Sequence, residues 1–135
     1  MNGVDTTVLV RFVVEDPEAP AQCRAARDLF AGFTPSQPGY VSLTVLVEFC
    51  WVLDRGYHTG RGQITAAVAA LLHHPELNIE HADRVDAALR EATGANRDLP
   101  DALISVAGRE AGCVTTVTFD KRATALPGMS LLPWT

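Results

Sequence analysis

Four carboxylates interrupt or close the element-forming stretches of this chain. Asp5 follows the first strand-like stretch, and Glu48 breaks the apolar run from Val45 to Leu53. Asp101 opens Asp-Ala-Leu-Ile-Ser-Val-Ala, and Asp120 ends the apolar run from Cys113 to Phe119. Charged groups rarely sit within core-forming segments unless they are paired or hold a metal. Four carboxylates meeting in one pocket repel one another unless a cation neutralises them. A divalent-metal site is therefore the first expectation, and with it metal-dependent phosphodiester chemistry. Each acid also has a plainer reading: Asp5 as a helix N-cap, Glu48 as a solvent-facing helix residue, Asp101 as a first-turn carboxylate complementing the helix dipole, Asp120 as a turn residue before Lys121.

Short strands alternating with helices must position these groups. Residues 2–5 read as a strand and Thr6 to Val14 as the helix after it. Asp16-Pro17-Glu18 starts a second helix, with Asp16 as N-cap and Pro17 at the first helical position, ending near Gly32. Tyr40 to Leu43 is a strand, and Thr44 caps the buried helix carrying Glu48. Thr59 opens a helix with Ile64, Val68, Leu71 and Leu72 at helical spacing, which stops at Pro75. Leu77 to Glu80 is a strand. Asp83 to Thr93 is an amphipathic helix with Val85, Ala88, Leu89 and Ala92 inward and Gly94 just past its end. Asp101 to Ala111 is the last helix, closed by Gly112, and Cys113 to Thr118 and Met129 to Leu132 are strands. Strands separated by helices imply a parallel sheet with helices on its faces, and ligands then bind beyond the carboxyl ends of the strands. Asp5 and Asp120 stand at two such ends.

The bulk numbers narrow the function classes. A chain of 135 residues with 47% hydrophobic content is expected to form one domain with a proper core. No apolar run is long enough to span a membrane, and no basic stretch precedes an apolar core at the N-terminus, so no membrane association or signal peptide is read. Cys23, Cys50 and Cys113 form no C-x-x-C pair and read as buried free thiols in a reducing cytoplasm. A net charge of −5 argues against bulk nucleic-acid binding through a basic surface, though not against a nuclease whose acids are compensated by metal.

Val4-Asp5-Thr6-Thr7-Val8-Leu9-Val10, then Val47-Glu48, then Asp98-Leu99-Pro100-Asp101-Ala102-Leu103-Ile104, then Thr118-Phe119-Asp120-Lys121-Arg122 resemble the successive motifs of the PIN domain family, over essentially the whole chain. They are most similar to those of VapC-type ribonuclease toxins of bacterial toxin–antitoxin pairs. The resemblance implies a single PIN domain over residues 1–135, a three-layer α/β/α fold with a short, mostly parallel central sheet. It implies a metal-dependent endoribonuclease for single-stranded RNA, using Mg²⁺ or Mn²⁺ and leaving a 5′-phosphate and a 3′-hydroxyl. Asp5, Glu48, Asp101 and Asp120 become the metal-binding and catalytic set, and their hard oxygen donors suit those ions. A cognate antitoxin and a homodimer are the implied partners. Two other readings stand beside this one: a housekeeping RNA-processing nuclease, and a catalytically silent PIN-like interaction module. Val4-Asp5-Thr6-Thr7 also resembles the nucleophile motif of haloacid-dehalogenase phosphatases, but those need a second Asp where Thr7 stands.

Secondary features attach to this set. Asp98 reads as a cap of the Asp101 helix or as a group orienting a ligand. Thr6 and Thr118, beside two of the acids, are placed to bond a ligand carboxylate or to serve ordinary capping and packing. Arg11, Arg55, Arg61, Lys121 and Arg122 are candidates for RNA phosphates. His58, His73, His74 and His81 lack metal-binding helical spacing and read as structural.

Overall fold

The stretches read as strands form only two- or three-residue strands, and all of them pair in parallel. The computed structural model describes residues 1–135, which divide into two units, Met1–Ala82 and Asp83–Thr135. In the first unit β1 (Asn2–Gly3), β2 (Gly39–Val41) and β3 (Leu77–Ile79) form a sheet in the order β1-β2-β3, with Asn2 opposite Gly39 and Tyr40 opposite Asn78. Parallel neighbours need long crossovers, usually helical. Here α1 (Thr6–Val13) and α2 (Pro20–Ala31) join β1 to β2, and α3 (Leu43–Tyr57) and α4 (Arg61–Leu72) join β2 to β3. The Val4 amide extends the first ladder by donating to the Tyr40 carbonyl at 2.9 Å. The chain is thus tied to the sheet up to the residue before Asp5.

Packing of the helices follows their apolar spacing. On α3 the residues Leu46, Phe49, Cys50 and Leu53 are buried, one stripe at i, i+3, i+4 and i+7. Leu9 and Val10 on α1, Cys23, Ala26 and Phe30 on α2, and Ile64, Val68 and Leu71 on α4 are likewise buried. Phe12 and Phe30 stack with ring centroids 3.8 Å apart, pinning α1 to α2. Phe33 covers the start of β2 so closely that a Cβ on Gly39 would lie 2.8 Å from its Cδ2. Any larger residue there would force the Phe33 ring to move.

Local caps depart from the sequence expectation in two places. Ser42, not Thr44, caps α3: its hydroxyl accepts the Val45 amide at 3.1 Å. Two hydroxyl residues, one on either side of Leu43, compete for that position, and the earlier one wins because the strand ends at Val41. The second helix begins at Pro20 instead of Pro17. Asp16 serves elsewhere: its carboxylate accepts the Glu18 amide at 2.9 Å and the Tyr57 hydroxyl at 2.7 Å. Arg11 donates to the Tyr57 oxygen at 2.9 Å and to Gln22 at 2.9 Å, and sits 3.7 Å from Asp16. Arg11 thus helps hold α1, α2 and α3 together.

The Tyr57 hydroxyl, then the Glu18 amide, hold Asp16 below the ordinary carboxylate value of 3.8, and the bond to Asp16 raises the Tyr57 phenol above its ordinary value. A lowered folded-state pKa contributes stability that is present above 3.8 and lost as pH falls through the folded value. Asp16→Asn should therefore show a shallower fall of Tm on the acid side than the wild type. Thermal melts of the two proteins across the acid range check this, and parallel curves would refute it.

The second unit holds α5 (Ala82–Ala95), α6 (Leu99–Glu110), β4 (Thr116–Thr118) and β5 (Met129–Leu131), with a 3-10 turn over Lys121–Ala125. Val85, Ala88, Leu89 and Ala92 are the buried face of α5, as their spacing predicts. Gly94 lies inside this helix, and the chain turns out of it with Asn96 at φ 53°. Ser105 on α6 is fully buried and donates to the Pro127 carbonyl, which also accepts from Arg109 at 2.6 Å. Arg109 in turn pairs with Glu91 on α5. β4 and β5 pair in parallel, Thr116 opposite Met129 and Thr118 opposite Leu131. Cys23 and Cys50 are buried as expected, whereas Cys113 is exposed because the strand begins only at Thr116. The α/β class with short parallel sheets is the expected one, and no helix is long and apolar enough to cross a membrane.

Candidate functional site

Asp5 leaves the end of the β1 ladder and occupies the N-cap position of α1. Its backbone is extended, and its side chain makes no capping bond. The carboxylate is exposed, so capping does not use it. The next residue, Thr6, is buried and donates from its hydroxyl to Glu48 Oε1 at 2.8 Å. That bond links the start of α1 to the second turn of α3 and draws Glu48 toward the strand end that carries Asp5. Glu48 itself is exposed, not embedded in the core as its apolar neighbours suggest. The run from Val45 to Leu53 is helical, so the residues flanking Glu48 in sequence turn away from it around the helix.

The remaining acids lie in the second unit. Asp98 takes the N-cap position of α6 without a side-chain capping bond, Pro100 lies in the first turn, and Asp101 follows it half-buried. The helix thus starts two residues earlier than the sequence predicts, and both aspartates stand at its positive end. Asp120 caps the 3-10 turn: its Oδ1 accepts the Arg122 amide at 3.0 Å, while its own amide donates to Thr118 Oγ1 at 3.0 Å. The turn role expected as the plainer reading of Asp120 is thus real. Thr118 holds the backbone of the acid and does not bond its carboxylate. Lys121 and Arg122 follow directly and are exposed.

Within neither unit do three His, Cys, Asp or Glu side chains form a ligand group. The Thr6 hydroxyl ties Glu48 to the start of α1, next to Asp5. The histidines keep to structural places: His73 Nδ1 lies 2.8 Å from the Ala69 carbonyl, His74 pairs with Glu76 at 3.1 Å, and His58 ends α3 in the left-handed region.

One exposed residue near this set carries no chemistry when read from sequence alone. Trp51, three positions beyond Glu48 on α3, is 52% exposed, and the Arg55 guanidinium lies over its ring at 5.0 Å. Its signal is the i, i+3, i+7 spacing of Glu48, Trp51 and Arg55, which has meaning only once the segment is known to be helical.

No curated protein matches the chain. A family model described as PIN domain matches residues 4–128, a span that includes all four acids and every helix. The chain belongs to the PIN domain family, a family of nucleases.

Proposed function

We propose that the chain acts as a single PIN domain, a Mg²⁺- or Mn²⁺-dependent endoribonuclease for single-stranded RNA, and is the toxin of a toxin–antitoxin pair. The observation that carries the reading is the Thr6–Glu48 hydrogen bond beside Asp5. It positions a carboxylate at the carboxyl end of a parallel strand, where α/β sheets bind ligands. The donors on offer are carboxylate oxygens, which fit a hard divalent cation. Asp5, Glu48, Asp101 and Asp120 would hold it. Bound there, such a cation supplies an activated water and neutralises charge at the phosphoryl oxygens. Asp5 contributes a carboxylate that no capping bond consumes. Thr6 fixes the rotamer of Glu48, and Lys121 and Arg122 offer cations to the flanking phosphates.

An unrestrained ribonuclease harms its own cell, so the reading includes a cognate antitoxin, and the family suggests a homodimer. A groove of about 540 Å³, with Val8, Ala25, Ala26 and Leu29 as its apolar lining and Thr7, Arg11 and Gln22 as its polar lining, offers a seat for an amphipathic antitoxin helix.

The decisive experiment incubates purified protein with a mixed single-stranded RNA pool in Mg²⁺ or Mn²⁺, in EDTA, and beside Glu48→Gln. Cutting that disappears both in EDTA and in the variant supports the reading. Cutting that survives either change overturns the metal-site assignment. No cutting together with no Mn²⁺ binding by calorimetry favours the silent interaction module. Thr6→Val keeps the shape of the side chain and removes the bond to Glu48. It should lower the cleavage rate about 10- to 100-fold, as loss of a ligand-orienting contact does. An unchanged rate would mean that Glu48 needs no such support.

A further inference from the structure

Outside the carboxylates, the exposed face of α3 is the part of the first unit best equipped to touch RNA. We propose that Trp51 is a base-stacking platform that seats one nucleobase of the single-stranded substrate beside Glu48; this rests on the nuclease reading above. Three observations converge. Trp51 is a large aromatic side chain left 52% exposed on a helix whose opposite face is fully packed. Arg55 lays its guanidinium over the indole at 5.0 Å, so one face of the ring is already held by a cation and the side chain is pre-oriented. Trp51 stands three residues from Glu48, a neighbouring position on the same helix surface, and Glu48 is tied by Thr6 to the start of α1.

The chemistry of single-stranded RNA matches that arrangement. Unpaired bases expose π-faces that stack on aromatic rings and on Arg guanidinium planes, and such stacking tolerates any base. A base seated on the indole is held on the same helix surface as Glu48, three residues away, while Arg55 adds a cation beside the ring. The net charge of −5 makes this contact more valuable, because the overall charge of the protein does not attract RNA. Trp51 is thus a positioning residue that orients substrate, and its effect falls on KM more than on kcat.

The test is a cycle between the ring and the base. An RNA cut by the wild type is compared with versions carrying a single abasic position at each nucleotide flanking the cut. Wild type should lose about 5- to 150-fold in kcat/KM at one flanking position, the range expected from losing one stacked base. Trp51→Ala should show a comparable loss on intact RNA, mostly in KM, and no further loss on the abasic RNA. Trp51→Phe should keep most of the activity. Additive losses, or a Trp51→Ala protein as active as wild type, overturn the proposal. So does a Trp51→Ala protein that sediments as a smaller species and loses activity on intact and abasic RNA alike, since the ring then seats a second copy of the chain. If wild type cuts no RNA, the nuclease reading fails by itself, and the platform is judged by anisotropy of a labelled single-stranded oligonucleotide. Weaker binding by Trp51→Ala then supports it, and equal binding or none by wild type overturns it.

Discussion

Asp5→Asn is expected to abolish metal-dependent RNA cleavage and leave the fold intact. The fold half of this expectation follows from the local structure. Asp5 is exposed, its side chain makes no capping bond, and the residue before it already closes the β1–β2 ladder. Asparagine is as good an N-cap as aspartate. Exposed substitutions of this kind usually change stability by no more than about 0.5 kcal/mol, so Tm should stay within roughly 3 °C. The activity half follows from charge. The amide keeps the size and the oxygen but removes the anionic donor that a hard cation requires. Loss of one preorganised electrostatic contact at a reacting centre costs about 10²–10³ in rate, and loss of a metal ligand should reach at least that. The measurement is cleavage of single-stranded RNA in Mn²⁺ beside a thermal melt of the same preparation. A well-folded Asp5→Asn protein that cuts at the wild-type rate would remove Asp5 from the metal-binding set. Calorimetric titration with Mn²⁺ adds an independent readout, since weaker binding is expected even where no RNA substrate is cut.

Much of the scaffold around that carboxylate is legible in the sequence, and the exceptions share a physical origin. The buried face of α5 reads correctly because Val85, Ala88, Leu89 and Ala92 follow the helical period with nothing competing. The order of strands and helices reads correctly for the same reason. Choices between near-equivalent local signals do not. Ser42 and Thr44 can each cap a helix, and Pro17 and Pro20 can each start one; the outcome depends on where the strand ends and on what else claims Asp16. Its claimant, Tyr57, lies 41 residues away in sequence, a distance no local pattern spans. Glu48 shows the same limit from the other side. Its apolar neighbours in sequence suggest burial, but the helical period turns Phe49 inward and Glu48 outward. Thr6, expected to bond a ligand carboxylate or merely to cap, does bond Glu48, and adjacency to Asp5 in sequence is what marks it. Asp98 and Asp101 stand at the N-cap and in the first turn of α6, which begins two residues before the expected start because Pro100 occupies the first turn and does not precede it.

Phe49→Ala is the substitution expected to damage stability most, and the same geometry connects it to function. Phe49 is fully buried, the largest such side chain, in the middle of the α3 stripe with Leu46, Cys50 and Leu53. Truncating a buried aromatic to alanine costs about 3–5 kcal/mol, because the lost transfer energy is joined by a cavity that close-packed neighbours fill only in part. Domains of this size are stable by only about 5–15 kcal/mol, so Tm should fall by roughly 10–20 °C. Phe49→Leu, which retains most of the volume, should recover more than half of that loss. Glu48 and Trp51 sit on either side of Phe49 in sequence and face outward because Phe49 faces inward. Loosening the stripe therefore loosens the seat of the Thr6–Glu48 bond. Cleavage by Phe49→Ala should consequently fall more steeply with temperature than wild-type cleavage, well below the temperature at which the protein melts. Thermal denaturation paired with rates at several temperatures separates the two effects. A Tm within a few degrees of wild type would mean that α3 is anchored by something other than this ring. A normal Tm loss with an unchanged temperature profile of cleavage would mean that the position of Glu48 does not depend on it.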